Sequence, residues 1–481
     1  MGRIIESSEQ SAARMKMNVC HRSSAIFFAQ VGKMVDTRLT FLNHFLLKRD
    51  IPEVKCVVTF RALDGTQISQ TNFNVTEPRT YSVTVRDFVG SEFVGSAEIE
   101  FLSEYNLGVP FCATMAIYKS QNGYCQLHAY SRTYNTEEIT EDRVYQKAAE
   151  IGWTLRDTED VQSLAILHNG PESANGKINI RITNSAGERV DLVLPIATIP
   201  AYGSLQIVPS EHYDVKSFLA GQPGHGAVFF PASRAFPRMC CGNRRVNADG
   251  DVLDLQLTHS NFNYSVHQTP RLNVGEKAFS FLPHLPQGEL SLVVYPHYAQ
   301  TEEVVAEAGG RRHMLRNDQI GMLPAQMGGS FVFETSDRRG LPNRLVNGLI
   351  ADWKSKALPA ECSYGVVTSG YKAATKHWYW GYAGEGAIEA YLSGFFASDL
   401  LSVDQFKDTV EIVLYDQQGE CGRTELSMDD FRKGPIALTD VRARETKGVI
   451  YYRAAMDYTM GSFFSVVFDP KKKSGSIEHS F

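Results

Sequence analysis

The sequence lacks the features that most directly assign a chain to a class. No run of about 18 apolar residues occurs, so no membrane-spanning helix is expected. There is no excess of positive charge: 48 Lys and Arg stand against 54 Asp and Glu, a net charge of −6. That balance argues against a nucleic-acid partner, whose binding needs a basic face. The eight cysteines show neither a disulfide framework nor a CxxC pair, so no zinc or other metal site is expected, and a cytoplasmic location is. Nucleophile-elbow, HExxH, P-loop and GxGxxG patterns are missing from the strand–turn–helix contexts they require. No cofactor is indicated. Catalysis is disfavoured without being removed, because side chains far apart in sequence can still meet.

Helix-period segments are scarce as well. Two are expected, Glu137–Gly152 as a linker between repeated units and Ala383–Leu392 as a later connection. Residues 1–35 read as a poorly ordered lead-in, since the apolar patch Ala25–Val31 is shorter than a signal-peptide core.

What the sequence has in abundance is alternation. In AILHNGPESANGKINIRITNSAGERV, Ile178, Ile180 and Ile182 alternate with Lys177, Asn179 and Arg181. A turn at Ala186-Gly187 leads into Val190, Leu192 and Leu194. Period-two alternation bounded by a turn is a half-buried β-hairpin. The pattern repeats. TFLNHF at Leu42, AILHNG at Leu167, SFLPHL at Leu282 and AYLSGF at Leu392 recur at intervals of about 110 to 125 residues. An alternating strand follows each: Cys56/Val58/Phe60, Ile178/Ile180/Ile182, Leu290/Leu292/Val294 and Val410/Ile412/Leu414. Glycine-led strands then begin at Gly95, Gly226, Gly329 and Gly448. Gly65, Gly187 and Gly419 mark the hairpin turns, while the third unit departs with Tyr295-Pro296-His297 and lacks a turn glycine.

A chain of 481 residues is too long for one ordinary core. Units of about 100 residues with six to eight short strands suit β-sandwiches. The expected fold is all-β: four tandem Ig-like or jelly-roll-like β-sandwich units with pseudo-four-fold repetition and short linker helices. The expected boundaries are a lead-in over 1–35, sandwiches over 36–136, 153–268, 269–376 and 377–481, and a linker helix over 137–152.

Trp153 in IGWTLRDTEDVQSLAILHNG and Trp380 in HWYWGYAGEGAIEAYLSGF precede the opening leucines of two units. A Trp strand, an irregular stretch, a strand ending ILN-like, then the hairpin and proline-containing strand of KINIRITNSAGERVDLVLPIATIPAYGSLQI follow in order. This pattern resembles the small bacterial sensory rhodopsin transducer family. The resemblance implies β-sandwiches that assemble as tetramers and act in binding or signalling rather than catalysis. Four units in one chain would correspond to such a tetramer fused into a pseudo-symmetric ring. No feature for a rhodopsin partner is identifiable.

Three units close on similar residues: Leu127-His128-Ala129-Tyr130-Ser131-Arg132, Leu257-Thr258-His259-Ser260-Asn261-Phe262-Asn263-Tyr264, and Ile477-Glu478-His479-Ser480-Phe481. Each sets a histidine in a final strand beside hydroxyl and aromatic groups. His128, Tyr130, Arg132, His259, Asn261 and Tyr264 are therefore candidates for polar cups at the sandwich rims, suited to a sugar or carboxylate. The opposing expectation is that these histidines satisfy backbone groups at strand edges or interfaces. Arg238, Arg244 and Arg245 concentrate positive charge, and guanidinium forks suit anions, although solvated rim charge is the simpler reading. Trp378 and Trp380 lie on one face of an aromatic strand, where they would stack on a sugar ring or fill a core. Asp249-Gly250-Asp251 and Asp254 have the chemistry for a hard cation, but a hairpin turn is the simpler reading. The function expected is non-catalytic recognition of a protein partner or glycan-like, anionic ligand through repeated rims. The alternatives are a self-assembling structural protein, which predicts large apolar faces between units, and an enzyme in unit two or at a junction. The chain is expected to be a monomer of pseudo-symmetric units or a homo-oligomer.

Overall fold

The structure, a computed structural model, describes every residue except 1–19, 110, 135–148, 230–237, 264–270, 297–302, 317, 337, 342–344, 346, 365, 369–376, 397–408 and 457–460. Four β-sandwiches follow one another along the chain. Unit one holds β1 (His21–Val31), β2 (Val35–Leu42), β3 (Val54–Ala62), β4 (Gln67–Val75), β5 (Thr80–Thr84), β6 (Phe93–Ser103), β7 (Thr114–Ser120) and β8 (Tyr124–His128). Unit two holds β9 (Ala149–Leu155), β10 (Val161–His168), β11 (Ala174–Thr183), β12 (Arg189–Ile199), β13 (Ser204–Ile207), β14 (Gly224–Phe229), β15 (Cys240–Val246), β16 (Val252–His259) and β17 (Asn261–Asn263). Unit three holds β18 (Ala278–Phe281), β19 (Glu289–Val294), β20 (Glu303–Ala308), β21 (Arg311–Arg316), β22 (Gly321–Pro324), β23 (Ser330–Glu334), β24 (Asn347–Asp352), β25 (Ala360–Tyr364) and β26 (Val367–Thr368). Unit four holds β27 (His377–Glu385), β28 (Glu389–Phe396), β29 (Thr409–Asp416), β30 (Gly419–Ser427), β31 (Ile436–Ala437), β32 (Val449–Met456), β33 (Gly461–Asp469) and β34 (Ser474–His479).

All four units share one topology. In the outer sheet the sixth strand lies between the first and third, and the fourth strand forms the edge. In the inner sheet the second strand lies between the fifth and seventh, and the eighth strand forms the edge. The chain then crosses back to the first strand. β17 pairs with β9 and β26 with β18, Ser131 bridges to Ile26 in unit one, and the Phe481 amide donates to Trp380 O (3.0 Å) in unit four.

The eighth strands also meet one another. β8 packs against β16 and β34, and β25 packs against the same two, so the four close a circuit. An edge strand exposes unpaired amides, and here side chains of the preceding unit take them. The Leu257 amide donates to Cys125 Sγ (3.3 Å), the Ser363 amide to Thr258 Oγ1 (3.1 Å), and the Gln126 amide to Ser476 Oγ (3.0 Å). At the fourth contact the His479 amide donates to Glu478 Oε1 (3.0 Å), and Cys362 Sγ of unit three lies 3.8 Å from the same oxygen. A head-to-tail contact whose rotation closes makes a ring rather than a filament. Asp254 ties three units together, accepting from Ser120 Oγ (3.1 Å) in unit one and the Leu358 amide (2.7 Å) in unit three.

The cores run across the units. Leu164, Ile166, Leu255 and Leu257 of unit two belong to the core of unit one. Leu42, Met115, Ile117 and Tyr124 of unit one belong to that of unit four. Phe464, Val466, Phe468 and Ile477 of unit four belong to that of unit three.

Several expectations need correction. Part of the lead-in is β1, whose Ala25–Val31 stretch is buried and pairs with β6; an apolar patch too short for a signal peptide is long enough for a core strand. Of the linker helix, residues 137–148 lie outside the described residues, and Ala149–Leu155 is the strand β9, recruited by pairing with β14. Ala383–Leu392 is not a helix but the end of β27, a turn and the start of β28, with Gly384 and Gly386 at positive φ. In unit three the repeat markers fall one strand early. Leu282 follows the first strand, and Leu290/Leu292/Val294 lie on the second. The true alternating strand is β20, and it turns into β21 at Gly309-Gly310, φ 55° and 75°. Unit three therefore keeps its glycine turn.

Candidate functional site

His128, His259 and His479 are the last residues of β8, β16 and β34, and the closed circuit brings them together. One ring nitrogen of each lies within 4.8 Å of one from each of the others. The His128 ring centroid is 4.5 Å from that of His259 and 4.6 Å from that of His479. His128 and His259 are buried, and His479 is half-buried.

The rings are held from behind. His259 Nδ1 lies 3.3 Å from Ser260 O, and His479 Nδ1 lies 3.0 Å from Ser480 O. The two His-Ser pairs thus make the same local contact in two units. His128 Nδ1 instead lies 3.1 Å from Glu478 Oε1, whose other oxygen accepts from the His128 amide (3.3 Å). Unit three contributes Cys362, with Sγ 3.8 Å from the same Glu478 Oε1. Burial holds His259 well below the usual imidazole range, and His128, Arg238 and His479 lower it further. Burial, then His128, lowers His479 as well. Burial alone would raise Glu478, but His128, by its charge, the closeness of its side chain and the hydrogen bond from its amide, outweighs it and keeps the carboxyl below its ordinary value. Near neutrality, His259 and His479 therefore present neutral rings with lone pairs, beside one carboxylate.

Of the other candidates, Arg238 stands close enough to this cluster to act on its charge. Trp380 joins its border: it stacks on His44 (5.5 Å) and on Phe481 (6.4 Å), and Phe481 meets His128 at 5.7 Å. The rest are elsewhere. Tyr130 is core, its hydroxyl 2.7 Å from His168 Nε2 across units one and two. Arg132 is buried, with Nε donating to Ser24 Oγ (3.3 Å). Arg244 donates to Gln162 Oε1 (3.0 Å), and Arg245 pairs with Asp160 (3.0 Å) and reaches Lys356 O in unit three. Trp378 carries the Arg453 guanidinium over its ring at 4.4 Å. Asn261 is placed as a residue of β17, and Tyr264 lies outside the described residues. Separate rim cups are thus replaced by one axial cluster. Glu478 and Cys362 were not singled out from sequence; the repeated histidine in three final strands was the signal that led to their neighbourhood. Asp249 and Gly250 form a turn, with Gly250 at φ 85°.

A cleft of about 430 Å³ lies between units one and four, lined by Lys119, Tyr124, Glu385, Asp469 and Lys472 among others. Its Glu385 is committed to ion pairs with Arg38 (2.6 Å) and Lys119.

No family model matches the chain, and no curated protein matches it. Among solved structures, it aligns with "Crystal structure of tetra-tandem repeat in extending region of large adhesion protein" at 10% identity, over 95% of this chain and 98% of that one. The TM-score of 0.11 is too low to bear on fold or function. No helix among the described residues is long and apolar enough to cross a membrane.

Proposed function

We propose that the chain is a non-catalytic scaffold that binds a protein partner along the outer edges of a closed ring of sandwiches. The observation that carries this reading is a repeated one. The fourth strand of each unit is the open edge of its outer sheet. In units one, two and three that strand turns a large apolar side chain to solvent: Ile68 at 48% exposure, Val193 at 58% and Met314 at 59%. In unit four the equivalent β30 is partly covered, by the bridge of Gly422 to Arg442 and the bond from the Ala443 amide to Cys421 O (2.8 Å), and exposes none. Open edges with outward apolar groups accept an added strand, main chain to main chain. Three such edges on one rigid body gain from linked binding. The fused-tetramer arrangement implied by the sensory rhodopsin transducer resemblance fits the same reading, as does a cytoplasmic location, since none of the eight cysteines is in a disulfide.

The test is quantitative capture from host lysate by the full chain and by the triple variant Ile68→Lys, Val193→Lys, Met314→Lys. A partner bound by the wild type and lost at least tenfold in the variant, with unfolding temperature unchanged, supports the reading. Equal capture by both, or an enriched saccharide in place of a protein, overturns it.

A further inference from the structure

We propose that His128, His259 and His479 bind a divalent transition ion of the zinc class on the pseudo-four-fold axis. Three observations converge. Imidazole nitrogens from three different units approach within 4.8 Å, although the residues lie more than a hundred positions apart in sequence. His259 Nδ1 and His479 Nδ1 face the backbone oxygens Ser260 O and Ser480 O, while His128 Nδ1 lies 3.1 Å from Glu478 Oε1 without a hydrogen bond to it. In His259 and His479 an Nδ1–H held in this way fixes the tautomer that leaves Nε2 as the ligand atom, and backbone oxygen behind a histidine is a usual support of a metal ligand. Finally, His259 Nε2 is buried and has no hydrogen-bond partner, an arrangement that a bound ion resolves.

The geometry suits the chemistry. Zinc–nitrogen bonds near 2.0–2.1 Å in a tetrahedral site require ligand atoms roughly 3.4 Å apart, so side-chain shifts of about 1 Å complete the set. Three imidazoles select Zn²⁺, Co²⁺, Ni²⁺ or Cu²⁺ over Mg²⁺ and Ca²⁺, which prefer oxygen. Three protein ligands leave a fourth position for water or an exogenous donor. Charge is divided: Arg238 opposes a cation and Glu478 favours one. His479, half-buried, offers the way in. Such an ion would pin the last strands of units one, two and four at one point. The sequence marked these histidines by their common place in the final strands, but not their meeting, which depends on ring closure between units more than a hundred residues apart.

The full chain, stripped with chelator, is titrated with Zn²⁺ by calorimetry and with Co²⁺ by visible absorption. One ion per chain and the intense visible bands of tetrahedral Co²⁺ are expected. His479→Gln and His259→Gln should each weaken affinity at least 100-fold. Circular dichroism and the metal-free unfolding temperature of His479→Gln, the less buried position, establish that this variant is folded. No binding by the wild type, or affinity unchanged in a folded His479→Gln, overturns the proposal. Either result leaves the edge-binding reading standing, because that test reads different residues.

Discussion

The junctions on the two sides of unit two are built from equivalent strands but held by different forces. Toward unit one, the inner sheets fuse into a single apolar core that includes Leu164, Ile166, Leu255 and Leu257. Toward unit three, a small cluster of Ala227, Val293, Tyr295 and Ile350 sits beside a buried polar group. There the Tyr295 hydroxyl donates to Glu361 and lies 3.3 Å from Thr154 Oγ1. Repeats related by pseudo-symmetry thus diverge most where they touch. The shared topology conserves the circuit of eighth strands, while each junction is free to be oily or polar.

That difference can be sharpened by mutation. The largest effect is expected for Leu255→Ala, fully buried in the shared core: a loss of about 2–5 kcal/mol in chemical denaturation. Val293→Ala, in the smaller cluster, should cost less, about 1.5 kcal/mol for the two carbons removed. Tyr295→Phe should cost about 1–3 kcal/mol, because it strips a hydrogen bond from buried Glu361. An equal cost for Leu255→Ala and Val293→Ala would remove the distinction between the two junctions.

Acid should separate them further. Burial holds His168, in the first junction, at about 3 and His44 at about 4, both below the ordinary 6.5. Between those values and 6.5 the unfolded chain binds more protons, so stability falls as pH drops through that window. By pH 5 each contributes a loss of about 2 kcal/mol. Glu361, in the second junction, is raised by burial. Its folded form binds more protons above the ordinary carboxylate value, so its contribution grows as pH falls. His168→Gln should flatten the acid slope, and Glu361→Gln should steepen it; thermal melts from pH 7 to pH 5 read both. The smallest effect is expected at the surface, where Arg423→Ala removes ion pairs to Glu411 and Glu420 at a cost of about 0.5 kcal/mol or less.

Much of the fold was legible because alternation reports burial directly. The hairpin β11–β12 and its Gly187 turn stand where the pattern Ile178/Ile180/Ile182 places them, and Gly95, Gly226, Gly329 and Gly448 mark the sixth strands. Unit three misled because β18 and β19 imitate the marker and strand that elsewhere lie one strand later. The apparent helix Ala383–Leu392 failed because pairing with β32 and β33 overrode local periodicity. The site was half legible. The histidines of the final strands carried a common signature, but their meeting depends on ring closure, which no local spacing encodes. Arg244 and Arg245, candidates for an anion or for solvated rim charge, contact Gln162 and Asp160, partners across the sheet that charge density in sequence does not name.

The central claim is that the eighth strands close a ring, and hydrogen exchange tests it most directly. The edge amides of Gln126, Leu257 and Ser363 donate to side chains of a neighbouring unit. They should therefore exchange as slowly as amides in mid-sheet β29. Exchange as fast as that along the open edges of β4 and β21 would contradict the ring.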